Sequence, residues 1–462
     1  MKFTVQNLGR LVEATIDLDK DLILFVGPNN TSKTYVAHTL YGLFSRLPAL
    51  LTECIAKALP SSTGLSSSID VDDILGTRFA AMIATVEDRY RSELSDVLAS
   101  SEDFTARARI SLFGFPAELS DTISAAEFDA ETTLESQHHF LVRKQSGDLS
   151  AYFELIPAST EGPSASAAHG GLHIMLRQLT AIFLAGFLAT TTYDSPQNVH
   201  VLTAERAAIQ LFSRELSAKR SALIDELLKL NTRSKRGQND LAAMLQQNAR
   251  RYPAPIRDSL ELANDLSTYR KQTSKFAALA DILDQQLIGG ALHIGEDGDL
   301  LFQPDKGGTP LPLTLASSSV KALAGLSFHL RHLVSEGDVL IIDEPELNLH
   351  PDNQRRVARV LARLARGGVK VIITTHSDYI VRELNNLIML SADEAGDLRE
   401  RHGYVAEETL TPAQVGAYRF DSTHAHPLEV KPTGIEVETI DREINALNRV
   451  SQDIYFSLFD KA

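Results

Sequence analysis

The sequence predicts an α/β protein whose mostly parallel sheet is assembled from the two ends of the chain and split by a long, largely helical insert. Three observations predict it. Near the start, the short apolar run Leu22 to Val26 leads into a glycine-containing loop, Gly27 to Thr34, and then into a helical pattern. Far downstream, the runs Val339 to Ile342 and Lys370 to Thr374 flank the amphipathic stretch NQRRVARVLARLARGG. The 46–290 stretch between them lacks this strand–helix alternation. Short, wholly apolar runs joined by helices are the pattern of strands covered on both faces of a parallel sheet.

Taken in order, residues 1–26 read as strands, with Phe3 and Val5 alternating with polar neighbours and Ala14, Ile16 and Leu18 doing so again. A helix is expected from Lys33 to about Arg46. Residues 46–203 are mixed. HHFLVRK and LSAYFELI there flank Gln145 to Asp148 as a hairpin, and Ala158 to Gly171 reads as a loop. Leu172 to Tyr193 is the most membrane-like stretch, but Arg177 and Gln178 interrupt it. What remains is shorter than the roughly 20 residues that span a bilayer, so a buried helix is expected. Residues 204–289 read as helical and coiled-coil-like, broken at Arg251 to Pro255, and ALHIGEDGDLLFQ turns at Asp297-Gly298. The expected domains are therefore a head of residues 1–45 and 290–462, a mixed insert of 46–203 and a helical insert of 204–289.

Composition narrows the class. With 462 residues and 44% hydrophobic content the chain can fill two or three cores, since single cores rarely exceed about 250 to 300 residues. The start lacks the basic end and apolar centre of a signal peptide, which predicts a cytoplasmic protein with no membrane partner. Cys54 is the single cysteine, which excludes an internal disulfide and a thiolate metal cluster within one chain. A formal charge of -15 argues against a protein that coats nucleic acid over its whole surface. One basic stretch stands out: Arg214 to Arg251 carries nine Lys or Arg against four Asp or Glu, with Leu223, Leu227 and Leu230 at helical spacing. It suits either a solvated helical face or a surface for DNA or a partner.

The chemistry lies in four motifs. GPNNTSKT, comprising Gly27, Pro28, Asn29, Asn30, Thr31, Ser32, Lys33 and Thr34, sits between a strand and a helix as a phosphate-binding loop requires. Backbone N–H groups and a helix N-terminus face phosphates there, Lys33 neutralises their oxygens, and the Thr34 hydroxyl can join the shell of a magnesium ion. Ser32 stands where the pattern has a second glycine. GDVLIIDEPELNLHP, Gly337 to Pro351, places two acids directly after an apolar strand. Asp343 can hold the Mg²⁺ shell and Glu344 can orient or deprotonate an attacking water. VIITTHSDYIV puts His376 just past the next strand, which is expected beside the first. LTLASSSVKALAGLSFHL offers Ser317, Ser318 and Ser319 at a helix N-terminus, either as an ordinary cap or as phosphate ligands.

Together, FTVQNLGRL, GPNNTSKT, the serine-rich segment, IIDEPELNLHP and ITTHSDYI resemble the bacterial AAA ATPases of the ABC-type, OLD-like and SMC-like group. The resemblance covers residues 1 to about 45 and about 290 to 390, and the tail GIEVETIDREINALNRVSQDIYFSL is similar to the ends of stand-alone members. It implies a P-loop NTPase head of ABC type, with ATP and Mg²⁺ as cofactors and His376 as the switch histidine. It further implies a homodimer or larger homo-oligomer, in which Ser317 to Ser319 cap ATP held by a second copy. Members often serve in anti-phage defence, and the layout is similar to the ATPase subunit of PARIS-type systems. A separate TOPRIM nuclease effector and a phage-derived trigger are then implied. OLD-type proteins carry TOPRIM after the ATPase, whereas about 85 residues follow His376 here, fewer than an ordinary α/β domain needs. The leading expectation is a slow ATPase acting as sensor or scaffold for a separate effector. The alternative is an SMC-like DNA-repair ATPase that clamps duplex DNA.

Overall fold

In the computed structural model the described residues are 1–60, 65–115, 119–134, 138–157, 165–192, 197–213, 215–216, 251–305 and 307–459. They cluster into two compact units. A head comprises Val5–Gly42, Ser95–Ala108 and Gln197–Ala462; a second unit comprises Met1–Thr4, Leu43–Leu94 and Arg109–Pro196.

The head is built on a mixed, mostly parallel sheet. Its strands run in the order Leu11–Asp17, His424–Leu428, Val415–Phe420, Leu22–Val26, Lys370–Thr375, Val339–Asp343, Val199–Leu202. The four strands from Leu22–Val26 to Val199–Leu202 are parallel, as is Val415–Phe420 beside Leu22–Val26, while His424–Leu428 pairs antiparallel with Val415–Phe420. Burial explains the continuous apolar runs. Leu22, Leu24, Val26, Leu340, Ile342, Val371 and Ile373 join the core with Val320, Leu323, Val357 and Leu361. The alternate residues Ile23, Phe25, Ile341 and Ile372 are equally buried, so both faces of these strands are covered. The register sets Asp343 beside Thr374 and Val26 beside Thr375, which brings three loop mouths to one edge of the sheet.

The helices follow from local signals. His350 caps Pro351–Arg366 by accepting from the Asp352 N–H, with Pro351 at the first helical position. Its seven buried residues, from Val357 to Ala365, recur at helical spacing. The hairpin turning at Gly298 pairs Gly290–Ile294 with Leu300–Pro304.

Several expectations change. The helix expected to end near Arg46 runs Lys33–Ala58, straight through Pro48, because Leu47, Leu50, Leu51 and Ile55 keep burying one face. Val199–Leu202, assigned by sequence to the mixed insert, pairs in parallel with Val339–Asp343 inside the head, and Ser95–Ala108 also clusters there. Within the expected helical insert, Leu266–Tyr269 and Ala277–Leu283 place Leu266, Leu279, Ala280 and Leu283 in the head core. Most of the basic Arg214 to Arg251 stretch, including Leu223, Leu227 and Leu230, lies outside the described residues.

In the second unit, Ser66–Asp70, Ser150–Ile156, His139–Lys144 and Phe128–Thr133 form an antiparallel sheet, with the expected hairpin at Gln145 to Asp148. The apolar helix, Ala165–Thr192, was expected to be buried but is buried on one face only. Leu176, Ala181, Leu184 and Leu188 are inside while Ile174 and Ile182 are exposed. Its Leu172–Ala189 window passes as a membrane span by length and composition, with 39% of it buried. Phe183 and Phe187 pack edge-on against Phe128 at 5.2 and 5.1 Å, which accounts for part of the apolar content.

Candidate functional site

The P-loop is held in shape by its own neighbours. Gly27 has φ 147, and a Cβ there would come within 2.4 Å of the Phe420 carbonyl oxygen, so no other residue fits. Asn30 and Ser32 take left-handed backbone at φ 62 and 70. The position where the pattern has its second glycine therefore demands the conformation glycine favours, and Ser32 adopts it at a cost of about 1 to 2 kcal/mol. Thr31 Oγ1 donates to the Pro28 carbonyl at 2.8 Å. Lys33 Nζ donates to the Gly27 and Pro28 carbonyls at 2.9 and 2.7 Å. Burial pushes the Lys33 ammonium below its ordinary pKa, while Glu344, Asp343 and Glu346 pull it back up.

The acids arrive from the far end of the chain. Thr34 Oγ1 donates to Asp343 Oδ1 and Oδ2 at 3.2 and 3.0 Å across 309 residues of sequence. Thr374 Oγ1 donates to the same carboxylate. Glu344 sits one residue on, again left-handed at φ 49, with its N–H donating to Thr374 O at 3.0 Å. Burial raises the Glu344 carboxyl above the usual range; His376 and Lys33 lower it, and Asp343 and Glu346 add to the rise. His376 Nδ1 lies 3.5 Å from both Glu344 Oε1 and Glu346 Oε1.

These groups surround a cavity of about 670 Å³ lined by Asn29 to Tyr35 together with Arg10, Phe104 and Glu344. Lysine, carboxylates and loop N–H groups there can bind a polyphosphate and take a proton from water. A hydroxyl and a carboxylate side by side, Thr34 and Asp343, are the oxygen donors expected of a magnesium site that leaves room for phosphate and water.

Of the sequence-predicted residues, the structure brings Asn29, Asn30, Thr31, Ser32, Lys33, Thr34 and Glu344 to the cavity wall, with Asp343 and His376 in contact with that group. It does not bring Ser317, Ser318 and Ser319 there. Ser317 caps the helix Ser318–His332 by accepting from the Val320 N–H at 3.3 Å, its hydroxyl pairs with that of Ser319, and Ser317 and Ser318 are exposed.

Several groups at the site were not singled out from the sequence, Tyr35 at the end of the loop among them. Phe104 packs edge-on to Tyr35 at 5.4 Å and lies over Gly9; its surrounding sequence carries no motif. Arg10 follows Gly9 in a two-residue turn. Thr374 ends the apolar run that was recognised, and its hydroxyl was the available signal. Glu346, two residues after Glu344, is 6% exposed and accepts from Thr375 Oγ1 and the His376 N–H at 2.7 and 2.9 Å. Its acid-rich motif marked it, but only burial separates it from a solvated acid.

Residues 183–382 match the family described as "AAA domain, putative AbiEii toxin, Type IV TA system". The chain is 32% identical over 126 residues to UvrABC system protein A of Oceanobacillus iheyensis, covering 27% of this chain and 11% of that protein. It is 26% identical over 151 residues to the Old nuclease of Escherichia phage P2, covering 31% of this chain and 24% of that protein. The chain thus spans a quarter or less of the length of these relatives. Among solved structures, an SMC head bound to the C-winged helix domain of ScpA aligns over 96% of this chain and 98% of its own, at TM-score 0.36 and 12% identity. The SMC head domain from Thermotoga maritima aligns over 93% and 98%, at TM-score 0.27 and 12% identity. In its matched segment and in its own loops the chain is similar to P-loop ATPases of the AAA-domain family, with ABC-type and OLD-like proteins among its relatives.

Proposed function

We propose that this chain binds ATP with Mg²⁺ in the P-loop cavity and hydrolyses it slowly, and that ATP-dependent assembly of a homodimer or higher homo-oligomer governs a separate effector. The observation that carries the reading is the meeting of Lys33, Thr34, Asp343 and Glu344 around one cavity. The loop N–H groups and Lys33 hold the triphosphate and offset its charge. Thr34 and Asp343 would hold the magnesium ion, which would supply charge neutralisation at the phosphates. Glu344, its carboxyl raised above the usual range by burial, takes the proton of the attacking water, and His376 orients that carboxylate. Ser317, Ser318 and Ser319, which do not line the chain's own cavity, would cap ATP on a second copy. We further propose a cytoplasmic role in anti-phage defence, with a separate TOPRIM-type nuclease as effector and a phage-derived trigger; the toxin-system description of the matched family favours a defence role.

The test is phosphate release by the purified chain, alone and with duplex DNA, with Glu344→Gln as the blank. Slow release indifferent to DNA and abolished in the variant is expected. Release that survives in Glu344→Gln would sink the assignment of the base. Several-fold stimulation by DNA would instead favour the DNA-clamping alternative and direct charge reversal to Arg214–Arg251.

A further inference from the structure

Arg206 is 5% exposed, and a buried guanidinium is rare unless its donors are spent. Here they are spent on backbone carbonyls. Nη1 donates to Asp343 O at 2.8 Å and Thr203 O at 3.2 Å, Nη2 to Glu344 O at 2.8 Å, and Nε to Ala322 O at 3.1 Å. The Asp343 carbonyl belongs to the peptide before the Glu344 α-carbon, and the Glu344 carbonyl to the peptide after it. One planar fork thus pins both peptide planes that define the Glu344 backbone angles. Those angles need pinning, because left-handed backbone at a residue with a side chain persists only where its surroundings over-determine it. The Glu344 N–H, held by Thr374, fixes the conformation from the other side. The Nε contact ties this turn to Ala322 in the helix that Ser317 caps.

We propose that Arg206 is a positioning residue that fixes the backbone of Glu344, and with it the direction in which the carboxylate is presented, by gripping the two carbonyls on either side of its α-carbon. Only the consequence for turnover rests on the hydrolysis proposed above. Burial works against the charge on Arg206, and the carboxylates of Glu346, Asp343, Glu344 and Glu205 sustain it. Lysine keeps a charge but, as a single ammonium, cannot hold two carbonyls in a fixed fork.

The experiment compares full-length wild type, Arg206→Lys and Arg206→Gln. Amide hydrogen exchange is followed over 343–349, where the Leu347 and Leu349 N–H groups close the turn onto Glu344 O and Glu346 O. In Arg206→Lys these amides are expected to exchange about tenfold faster or more, while the unfolding midpoint stays near that of wild type. Turnover should fall about tenfold or more while the ATP Kd moves less than about threefold. Unchanged exchange in the turn overturns the proposal. So does exchange that rises only in step with lost global stability, or failure of both variants to fold, either of which makes Arg206 general scaffolding. A wild type that releases no phosphate removes the hydrolytic reading, and the exchange result still decides the role of Arg206.

Discussion

The two loops that meet at the cavity solve one problem in opposite ways. Each holds a residue with a side chain in left-handed backbone, Ser32 in the phosphate loop and Glu344 after the Val339–Asp343 strand. The phosphate loop is braced from within: Thr31 and Lys33 bond back to the carbonyls of Gly27 and Pro28, at most six residues away. The Glu344 turn is braced from outside, by Arg206 across 138 residues of sequence and by Thr374 across 30. A loop that supports itself is written as a contiguous motif. A turn supported by distant groups leaves in its own sequence only the acids that do the chemistry.

Breaking the internal brace should have the largest effect. Lys33→Ala removes the cation that faces the phosphates as well as three loop hydrogen bonds. ATP binding, followed with a fluorescent nucleotide, is expected to weaken by about a hundredfold or more; near-normal affinity would show that the lysine braces the loop without holding the ligand. On the other loop, His376→Ala takes away the larger of the two groups that lower the Glu344 carboxyl. The sign follows from the base needing to be ionised. With His376 gone the carboxyl rises further, so hydrolysis is lost at a higher pH as the solution is acidified. An acid limb of kcat that stays put would separate His376 from the electrostatics of Glu344. The smallest effect sharpens the comparison: Ser32→Gly relieves the left-handed cost, offset in part by the extra freedom of glycine in the unfolded chain. A net gain of up to about 1 kcal/mol is expected, seen as a higher denaturant midpoint at unchanged slope. A loss of stability would mean that Ser32 contributes contacts worth more than the strain it bears.

The difference between the loops also describes what could be read in advance. The phosphate loop, the Asp343–Glu344 pair, the strand that carries His376 and the hairpin at Gly298 were all legible, because each combines a period or turn signal with the residue that uses it. The neighbouring strand Val199–Leu202 was not, since four residues give no period and the motif that dignifies a strand lies elsewhere. Phe104 and Arg206 were invisible for a related reason: an isolated aromatic or arginine has a meaning only through what it touches. The buried helices around Leu266 and Leu283 looked like part of a coiled-coil-like insert, because an amphipathic pattern says that a face is covered and not by what.

By itself, the sequence determined the chemistry on offer: a lysine and a hydroxyl in a loop between strand and helix, and two acids at the end of an apolar run. These are properties of short segments, set by backbone geometry and side-chain type. Tertiary structure alone decided the register of that sheet, which places Asp343 beside Thr374 and Val26 beside Thr375, and that the serines do not line the cavity. It alone decided, too, that a buried arginine from a third segment holds the turn of Glu344. Those outcomes depend on which buried faces and hydrogen-bond donors find each other across hundreds of residues, and no local period records that pairing.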